Sequence, residues 1–103
     1  MKVTIICSLK CEEKCRQAVD FFENLGVDEV YYPFVHQEDS LLEIQMKYLG
    51  EIVEADLIVA IPKDEDLGVK INDGSMIGEY FGESTSYELA YAMRMNKQII
   101  IWR

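Results

Sequence analysis

The chain has 103 residues, half of them apolar, which suits a single domain, residues 1–103, with its own hydrophobic core. Its 19 acidic and 10 basic residues give a net charge of −9, which opposes binding to nucleic acids and to anionic membrane surfaces. No apolar run approaches the roughly 18 residues of a membrane span, and no signal-peptide cleavage site follows the first apolar run. These features predict a cytoplasmic protein.

The first 26 residues predict a strand followed by a helix. The run VTII within residues 2–7 is typical of a parallel strand covered on both faces, and we expect it to be central in its sheet. A helix is predicted over residues 11–25, where apolar residues recur between charges, and Gly26 ends it. Its predicted buried residues are Cys15, Ala18, Val19, Phe22 and Leu25.

The next segment predicts a second strand and a second helix. The strand covers residues 30–34, and Pro33 marks a strand end or a sheet edge because proline cannot donate to a ladder. Ser40 and Glu43 have the spacing of a capping box, which places the start of the helix there. Its predicted buried residues are Leu41, Leu42, Met46, Leu49, Ile52 and Val53.

The second half of the chain contains two more strands, a long polar segment and a third helix. A buried strand is predicted over residues 56–62 and another over 99–102. Residues 63–81 are polar and lack a helical period, and the turn signal Asn72-Asp73-Gly74 predicts a hairpin flap there. The third helix runs to about Met95.

Alternating strands and helices predict an α/β fold with a parallel sheet and right-handed crossovers. In a doubly wound sheet of order 2-1-3-4, ligands bind at the carboxyl ends of strands 1 and 3, where the order reverses. The turn after Cys7, the loop after Pro62 and the start of the third helix should meet at that edge.

The start of the third helix carries the candidate site. Ser84, Thr85 and Ser86, with the backbone amides of a first helical turn, would bind a polar or anionic ligand. We expect Glu88 in the same turn, held ionised by the helix dipole. Thr85 and Glu88 also have the spacing of a capping box, so the same residues could serve only to begin the helix. Spacing alone leaves both interpretations open.

The three cysteines, Cys7, Cys11 and Cys15, recur at intervals of four, but this spacing does not match a cluster motif of the form C-x3-C-x2-C. A phosphatase-like loop starting at Cys7 would need an arginine where Glu13 stands. We therefore predict buried reduced thiols, with no metal and no cofactor. His36, the only histidine, is expected to be a solvated loop residue.

Three segments resemble the nucleoside 2-deoxyribosyltransferase-like family: IICSLK before an acidic helix, EIVEADLIVAIP, and GESTSYELAYAMRMNKQIIIW. The resemblance covers most of the chain. It implies a flavodoxin-like, three-layer α/β fold of four main strands, about three crossover helices and a long flap loop at 63–81. It also implies cleavage or transfer at the N-glycosidic bond of a 2′-deoxynucleoside or its 5′-monophosphate, without metal or redox cofactor.

The resemblance assigns roles to individual residues. Glu88 matches the nucleophile that attacks the anomeric carbon. The resemblance does not assign the acid that protonates the leaving base, and the candidates for it are Glu83, Glu79 and Asp73. Substrate contacts are expected from the helix start and the turn after the first strand, with an aromatic residue stacking on the base. These residues are Ser8, Lys10, Ser84, Thr85, Ser86 and Tyr80.

The sequence departs from the family at two aspartates. One, six residues before the nucleophile, corresponds to Gly82, and the other falls on Tyr48. An alternative function is therefore a non-catalytic nucleotide-binding or sensing module with the same pocket. By analogy with the family, and because a four-stranded sheet leaves edges to cover, we expect a homodimer or larger homo-oligomer.

Overall fold

A computed structural model describes residues 1–33, 41–62 and 83–102 of the chain. Its strands are β1 (Lys2–Ile6), β2 (Glu29–Tyr31), β3 (Leu57–Ala60) and β4 (Ile99–Ile101). Its helices are α1 (Glu12–Asn24), α2 (Leu41–Glu54) and α3 (Glu83–Arg94), and a short 3-10 turn, Leu9–Cys11, joins β1 to α1. The predicted flap at 63–81, Ser40 and His36 lie outside the described residues.

The four strands form one parallel sheet in the order β2-β1-β3-β4, which confirms the predicted order and class. β1 pairs with β2 through Val3 and Val30, and with β3 through Val3 and Leu57. β1 is central because it pairs with a strand on each side. Its residues Val3–Ile6 are fully buried, as the β-branched run predicts.

The sheet separates two hydrophobic clusters, so the fold has three layers. One cluster joins alternate residues of β1 and β3 to α1, and it contains Val3, Ile5, Cys7, Cys11, Cys15, Ala18, Val19, Phe22, Val59 and Ile61. The other joins the opposite faces of the same strands to α2 and α3, and it contains Ile6, Tyr31, Tyr48, Ile52, Ala55, Ile58, Ala60, Leu89 and Ala92. Strand residues alternate between the clusters because successive side chains point to opposite faces.

The predicted boundaries and buried face of α1 are confirmed except at its last residue. Cys15, Ala18, Val19 and Phe22 are buried, whereas Leu25 is 65% exposed. Leu25 lies past the end of the helix, where Gly26 adopts a φ of +85° and turns the chain away. Glycine reaches this left-handed conformation without steric cost.

The predicted buried face of α2 is confirmed at Ile52, which is fully buried, and is wrong at three other residues. The side chains of Leu41 and Leu42 lie outside the described residues. Met46 and Val53 are 66% and 41% exposed, and Leu49 is 43% exposed. Beside Ile52 the helix buries Tyr48, which was not predicted, and their spacing of four residues places both on one face. Tyr48 can occupy the core because its hydroxyl donates to the carbonyl of Ile5 at 3.1 Å, which satisfies the polar end of an otherwise apolar side chain.

β4 is shorter and more exposed than predicted. Ile100 and Ile101 are 38% and 44% exposed, since within the described residues β4 pairs on one side, with β3. Trp102 follows it and packs its ring 5.2 Å from that of Phe21. β2 covers Glu29–Tyr31 and not the predicted residues 30–34. It ends before Pro33, in agreement with the predicted role of the proline at a strand end.

The amino ends of the strands hold a cluster of charges. The Lys2 ammonium lies 2.6 Å from Glu51 and 2.9 Å from Glu54, with Glu29 at 3.8 Å. The Lys2 amide also donates to Asp56 at 2.7 Å. Four of the acidic residues are therefore held at the edge opposite the carboxyl ends of the strands. No helix of the described segments has the length and apolar character that crossing a bilayer requires.

Lys97 fastens the end of α3 to the end of α2. Its ammonium donates to the carbonyl of Val53 and, at 3.0 Å, to that of Ala55. These carbonyls lie at the carboxyl end of α2, where helix carbonyls lack intrahelical partners and a positive charge is favoured. The lysine before the closing strand, part of the motif that carries the family resemblance, therefore has a structural role.

Replacing Lys97 with methionine should lower the free energy of unfolding by about 1.5–3 kcal/mol, the usual contribution of hydrogen bonds from a charged group. The measurement is urea denaturation followed by circular dichroism. The side chain of Lys10 is exposed, so Lys10→Met is a matched control that should change stability little. Equal stability of wild type and Lys97→Met would contradict this role.

Candidate functional site

The candidate site lies at the carboxyl ends of β1 and β3, the two strands between which the sheet order reverses. The amide of Ile61 donates to the carbonyl of Ile6 at 3.0 Å, extending the pairing beyond β3. The Cys11 thiol donates to the carbonyl of Pro62 at 3.4 Å. The turn after β1 is therefore attached to the end of β3, at the position where doubly wound sheets bind ligands.

Ser8 and Lys10 lie in the 3-10 turn at this edge. The Ser8 hydroxyl oxygen caps the turn by accepting from the amide of Lys10 at 3.2 Å. A serine hydroxyl that accepts one bond still has its proton to donate. Ser8 is half-buried and the Lys10 side chain is exposed, so the turn places a hydroxyl donor and a positive charge at this edge of the sheet.

The start of α3 differs from the prediction. The helix begins at Glu83, so Thr85 is its third residue and Glu88 its sixth. Thr85 is buried, with 1% exposure, and Ser86 is half-buried. Because an N-cap residue precedes the first helical residue, Thr85 and Glu88 do not form the capping box that their spacing suggested, and Glu88 lies in the second turn.

The predicted site residues are therefore only partly brought together. The structure describes the side chains of Ser8, Lys10, Thr85, Ser86 and Glu88, whereas Tyr80 and the side chains of Glu83 and Ser84 lie outside the described residues. The predicted first-turn amides do belong to this helix, because residues 84–86 follow its first residue directly.

Glu88 lies on the side of α3 that faces the sheet. It is half-buried, and the residues one turn before and after it, Thr85 and Ala92, are buried, as is the adjacent Leu89. Burial raises the pKa of Tyr48 well above its ordinary value, and the nearby Glu88 carboxylate raises it further. The Glu88 charge also reaches Cys7, the residue that follows β1. The carboxyl group is thus held near the carboxyl end of β1.

Burial raises the pKa of the Glu88 carboxyl group to about 7. The expectation that the helix dipole keeps this group ionised is therefore wrong: near neutral pH, protonated and ionised forms coexist. The physical reason is position, since the dipole acts mainly within the first turn, and Glu88 is in the second, where loss of hydration outweighs it. A carboxyl group that titrates near pH 7 can act in either state.

Tyr48 is a neighbour of the site, although its position in the sequence indicated only a departure from the family. Its ring packs edge-on against that of Tyr31, with centroids 5.0 Å apart, and its hydroxyl donates to Ile5. The raised pKa keeps this phenol protonated and the hydrogen bond intact. The four-residue spacing of Tyr48 and Ile52 was the signal in the sequence that could have located it.

The three cysteines are free and buried, as predicted. Cys11 is tied to the end of β3, since its thiol donates to the carbonyl of Pro62. In the segments that the structure describes, no three histidine, cysteine or acidic side chains are arranged to hold a metal ion.

Comparisons with known proteins bear on the fold. No family model and no curated protein sequence matches the chain. A solved structure, that of a 2-deoxyribosyltransferase from Leishmania mexicana, superposes on 97% of the chain with a TM-score of 0.58 and 16% sequence identity. The chain has the fold of that transferase. It spans 62% of the length of the transferase.

This comparison confirms the fold expected from the family resemblance, a flavodoxin-like parallel sheet. At 16% identity the likeness concerns the fold, because one fold supports many functions. Function must therefore be inferred from the site, and chiefly from the burial and position of Glu88.

Replacing Glu88 with glutamine should stabilise the protein at high pH. A carboxyl pKa raised from 4.5 to about 7 means that wild type loses stability as pH rises from about 4.5 to about 7, because the unfolded chain ionises first. Glutamine does not ionise. At about 1.4 kcal/mol per pKa unit, the free energy of unfolding of Glu88→Gln, measured against that of wild type, should rise by up to about 3 kcal/mol between pH 4 and pH 8.

Thermal melts of both proteins across this pH range test the expectation. Glu23→Gln is the matched control, because Glu23 is exposed on α1 and its replacement should leave the pH dependence unchanged. A constant difference between Glu88→Gln and wild type at all pH values would show that the Glu88 pKa is not raised by folding.

Proposed function

We propose that the chain cleaves or transfers at the N-glycosidic bond of a 2′-deoxynucleoside or its 5′-monophosphate, with Glu88 as the nucleophile. The observation that carries the proposal is a half-buried carboxyl group, Glu88, close to the carboxyl end of β1 in a fold shared with a 2-deoxyribosyltransferase. A structural glutamate would gain more from hydration at the surface than from this placement.

The surroundings of Glu88 suit a polar ligand that carries a sugar. Ser8 offers a hydroxyl donor at the end of β1, and α3 begins at Glu83, where the first amides of a helix lack intrahelical partners. A 5′-phosphate would be favoured at that helix start, with the Lys10 ammonium as a mobile counter-charge. Ser84, Thr85 and Ser86 are proposed to supply further hydrogen bonds to the sugar or phosphate.

The proposed reaction proceeds in two steps. The ionised carboxylate of Glu88 attacks the anomeric carbon while the bond from that carbon to the base nitrogen breaks, through an oxocarbenium-like transition state. The base leaves with a proton, and the sugar remains as an ester of Glu88. A second base or a water molecule then attacks the same carbon and releases the carboxylate, so the sugar keeps its configuration. Neither step needs a metal or a redox cofactor.

The proton for the leaving base needs a separate donor, because Glu88 must be ionised to attack. We propose Glu83 for this role because it is next to Gly82, which stands at the position of a family aspartate. We propose Tyr80 as the aromatic residue that stacks on the base, since aromatic side chains commonly line pockets for flat ligand rings. We also propose a cytoplasmic protein that forms a homodimer or larger homo-oligomer, consistent with the exposed Ile100 and Ile101 of β4. Size-exclusion chromatography with light scattering measures that state directly.

Incubation with deoxynucleosides and their 5′-monophosphates, with chromatography of the free base, tests the activity. Wild type should release base, and Glu88→Gln and Glu88→Ala should reduce the rate on the order of 10³-fold or more. Glu23→Gln is again the control, because Glu23 is remote on the surface of α1. Equal base release by wild type and Glu88→Ala would exclude Glu88 as the nucleophile.

A different result would favour the non-catalytic alternative. Nucleotides would then raise the melting temperature of wild type without any release of base, and Glu88→Gln would bind them equally well. The replacement of a family aspartate by the buried, hydrogen-bonded Tyr48 is the observation that keeps this alternative in view.

The pH dependence of kcat/KM separates a nucleophile from an acid at position 88. With a pKa of about 7 in the free protein, the ionised fraction grows as pH rises, so activity should increase about tenfold per pH unit below pH 6 and level off above pH 8. An activity that falls through pH 7 would instead assign proton donation to Glu88. Stopped assays in overlapping buffers at constant ionic strength provide the measurement.

A further inference from the structure

The outer face of α2 carries an apolar stripe that the core does not cover. Met46, Leu49 and Val53 are 66%, 43% and 41% exposed, and their spacing of three and four residues places them on one face of the helix. Tyr48 and Ile52 lie on another face, within the core. The helix is therefore apolar on two faces, and in the described structure a single copy of the chain buries only one of them.

Gly50 lies in the same stripe, four residues after Met46 and three before Val53. A Cβ added at Gly50 would meet no atom within 4 Å, so crowding inside the described chain does not require glycine there. Glycine weakens the interior of a helix relative to alanine. Because glycine has no side chain, however, it lets a second backbone approach closely, which suits the packing of another helix across this point.

Two residues of opposite charge flank the stripe. Lys47 and Glu54 are seven residues, or two turns, apart, so they lie along one side of α2, with Gly50 about midway between them. Both are exposed. The Glu54 carboxylate contacts the Lys2 ammonium at 2.9 Å, but the Glu54 side chain is 68% exposed and has room for a second cation. The flank therefore carries a positive and a negative charge at nearly equal distances from its centre.

We propose that two copies of the chain pair through antiparallel α2 helices related by a two-fold axis. The contact, called the α2 surface, comprises Met46, Lys47, Leu49, Gly50, Val53 and Glu54. This inference names the surface through which the chain forms a homodimer. It does not depend on the proposed reaction, in which none of these residues takes part, and its tests measure association and not the release of base.

A second copy fits the stripe because a two-fold axis requires a surface that complements itself. An axis near Gly50 brings positions that are about equally far before and after it opposite each other. Met46 then lies opposite Val53 of the partner subunit, and Leu49 lies near Leu49 of the partner subunit. Each exposed apolar side chain of the stripe is thus covered by another one.

The charged flanks complement each other under the same axis. Lys47 lies opposite Glu54 of the partner subunit, and by symmetry Glu54 lies opposite Lys47 of the partner subunit. A generally cationic partner would leave Lys47 facing a like charge, whereas a second copy pairs both residues. The net charge of −9 on each copy opposes association at long range, but salt screens such repulsion beyond about 8 Å at physiological ionic strength.

The length of α2 limits the affinity of the dimer. Its 14 residues span about 21 Å, so one pair of helices buries less than the roughly 1,200–2,000 Å² of a standard interface. We therefore expect a reversible dimer with a dissociation constant in the micromolar range, and the concentration dependence of its mass is the quantity to measure.

Sedimentation velocity of the full-length chain across the micromolar range tests the surface. Wild type should shift from monomer to dimer as concentration rises. Leu49→Glu should weaken the dimer about tenfold or more, because it places two carboxylates together at the axis. Leu25→Glu is the matched control, since Leu25 is 65% exposed at the end of α1. Circular dichroism checks that both variants fold. Wild type that stays monomeric, or a dimer that Leu49→Glu leaves intact, would overturn the proposal.

Charge reversal tests the two-fold register. Lys47→Glu and Glu54→Lys should each dimerise more weakly than wild type, because each places like charges opposite each other at two positions. In an equimolar mixture of the two variants, one chain of each kind supplies opposite charges at both positions. The mixture should therefore dimerise with an affinity close to that of wild type. A mixture that associates no better than the single variants would rule out this register.

Carbodiimide cross-linking of wild type provides a measurement that needs no variant to fold. Isotopically light and heavy chains are mixed, cross-linked, digested and analysed by mass spectrometry. The amide between Lys2 and Glu54 of one chain is the internal control, because their charged groups are 2.9 Å apart. We expect a second amide, between Lys47 and Glu54, that joins a light chain to a heavy one. Links within single chains only would contradict the α2 surface as the interface.

Discussion

The packing of α3 against the central strands removes the Glu88 carboxyl group from water. Leu89 and Ala92 are buried against β3 and α2, and Thr85 is buried on the same face. Glu88 lies within this helical stripe, so the helix cannot bury its apolar residues without drawing the carboxyl group inward. Packing of the core therefore removes water from the Glu88 carboxyl group, and this loss of hydration raises its pKa. A site in which one acid changes state near neutral pH follows from that packing.

The two edges of the sheet have different electrostatic roles. At the amino edge, Lys2 forms ion pairs with Glu29, Glu51 and Glu54, so several of the acidic residues of the chain lie at this edge. At the carboxyl edge, the described side chains offer Ser8, Lys10 and a carboxyl group of variable charge. The net charge of the chain is −9, but exposed charges more than a Debye length apart are largely screened. An anionic ligand at the carboxyl edge is therefore repelled little by the acidic residues at the amino edge.

Sequence patterns predicted the fold well because the strands are unambiguous. Continuous β-branched runs such as VTII and LIVA are typical of strands covered on both faces, and their alternation with helices leaves few topologies. The location of the site followed from that topology. The face that α2 buries could not be predicted from topology. A hydropathy pattern ranks Met46 and Leu49 as more apolar than Tyr48. It contains no information on the carbonyl of Ile5, which accepts the Tyr48 hydroxyl in the folded chain. The protonation of Glu88 was equally hidden, because it depends on which turn of α3 carries the residue and on what covers it.

The parallel pairing of all four strands has a consequence for how the chain folds. Each pairing joins distant segments, as Val3 with Leu57 and Ile58 with Ile99 show, and the contacts of Lys97 reach back more than 40 residues. High contact order slows folding, because the entropy of closing long loops is lost before the contacts form. During that interval the β-branched runs are unpaired and prone to associate between molecules. Dilution and low temperature during refolding should therefore matter more for this small domain than its size suggests.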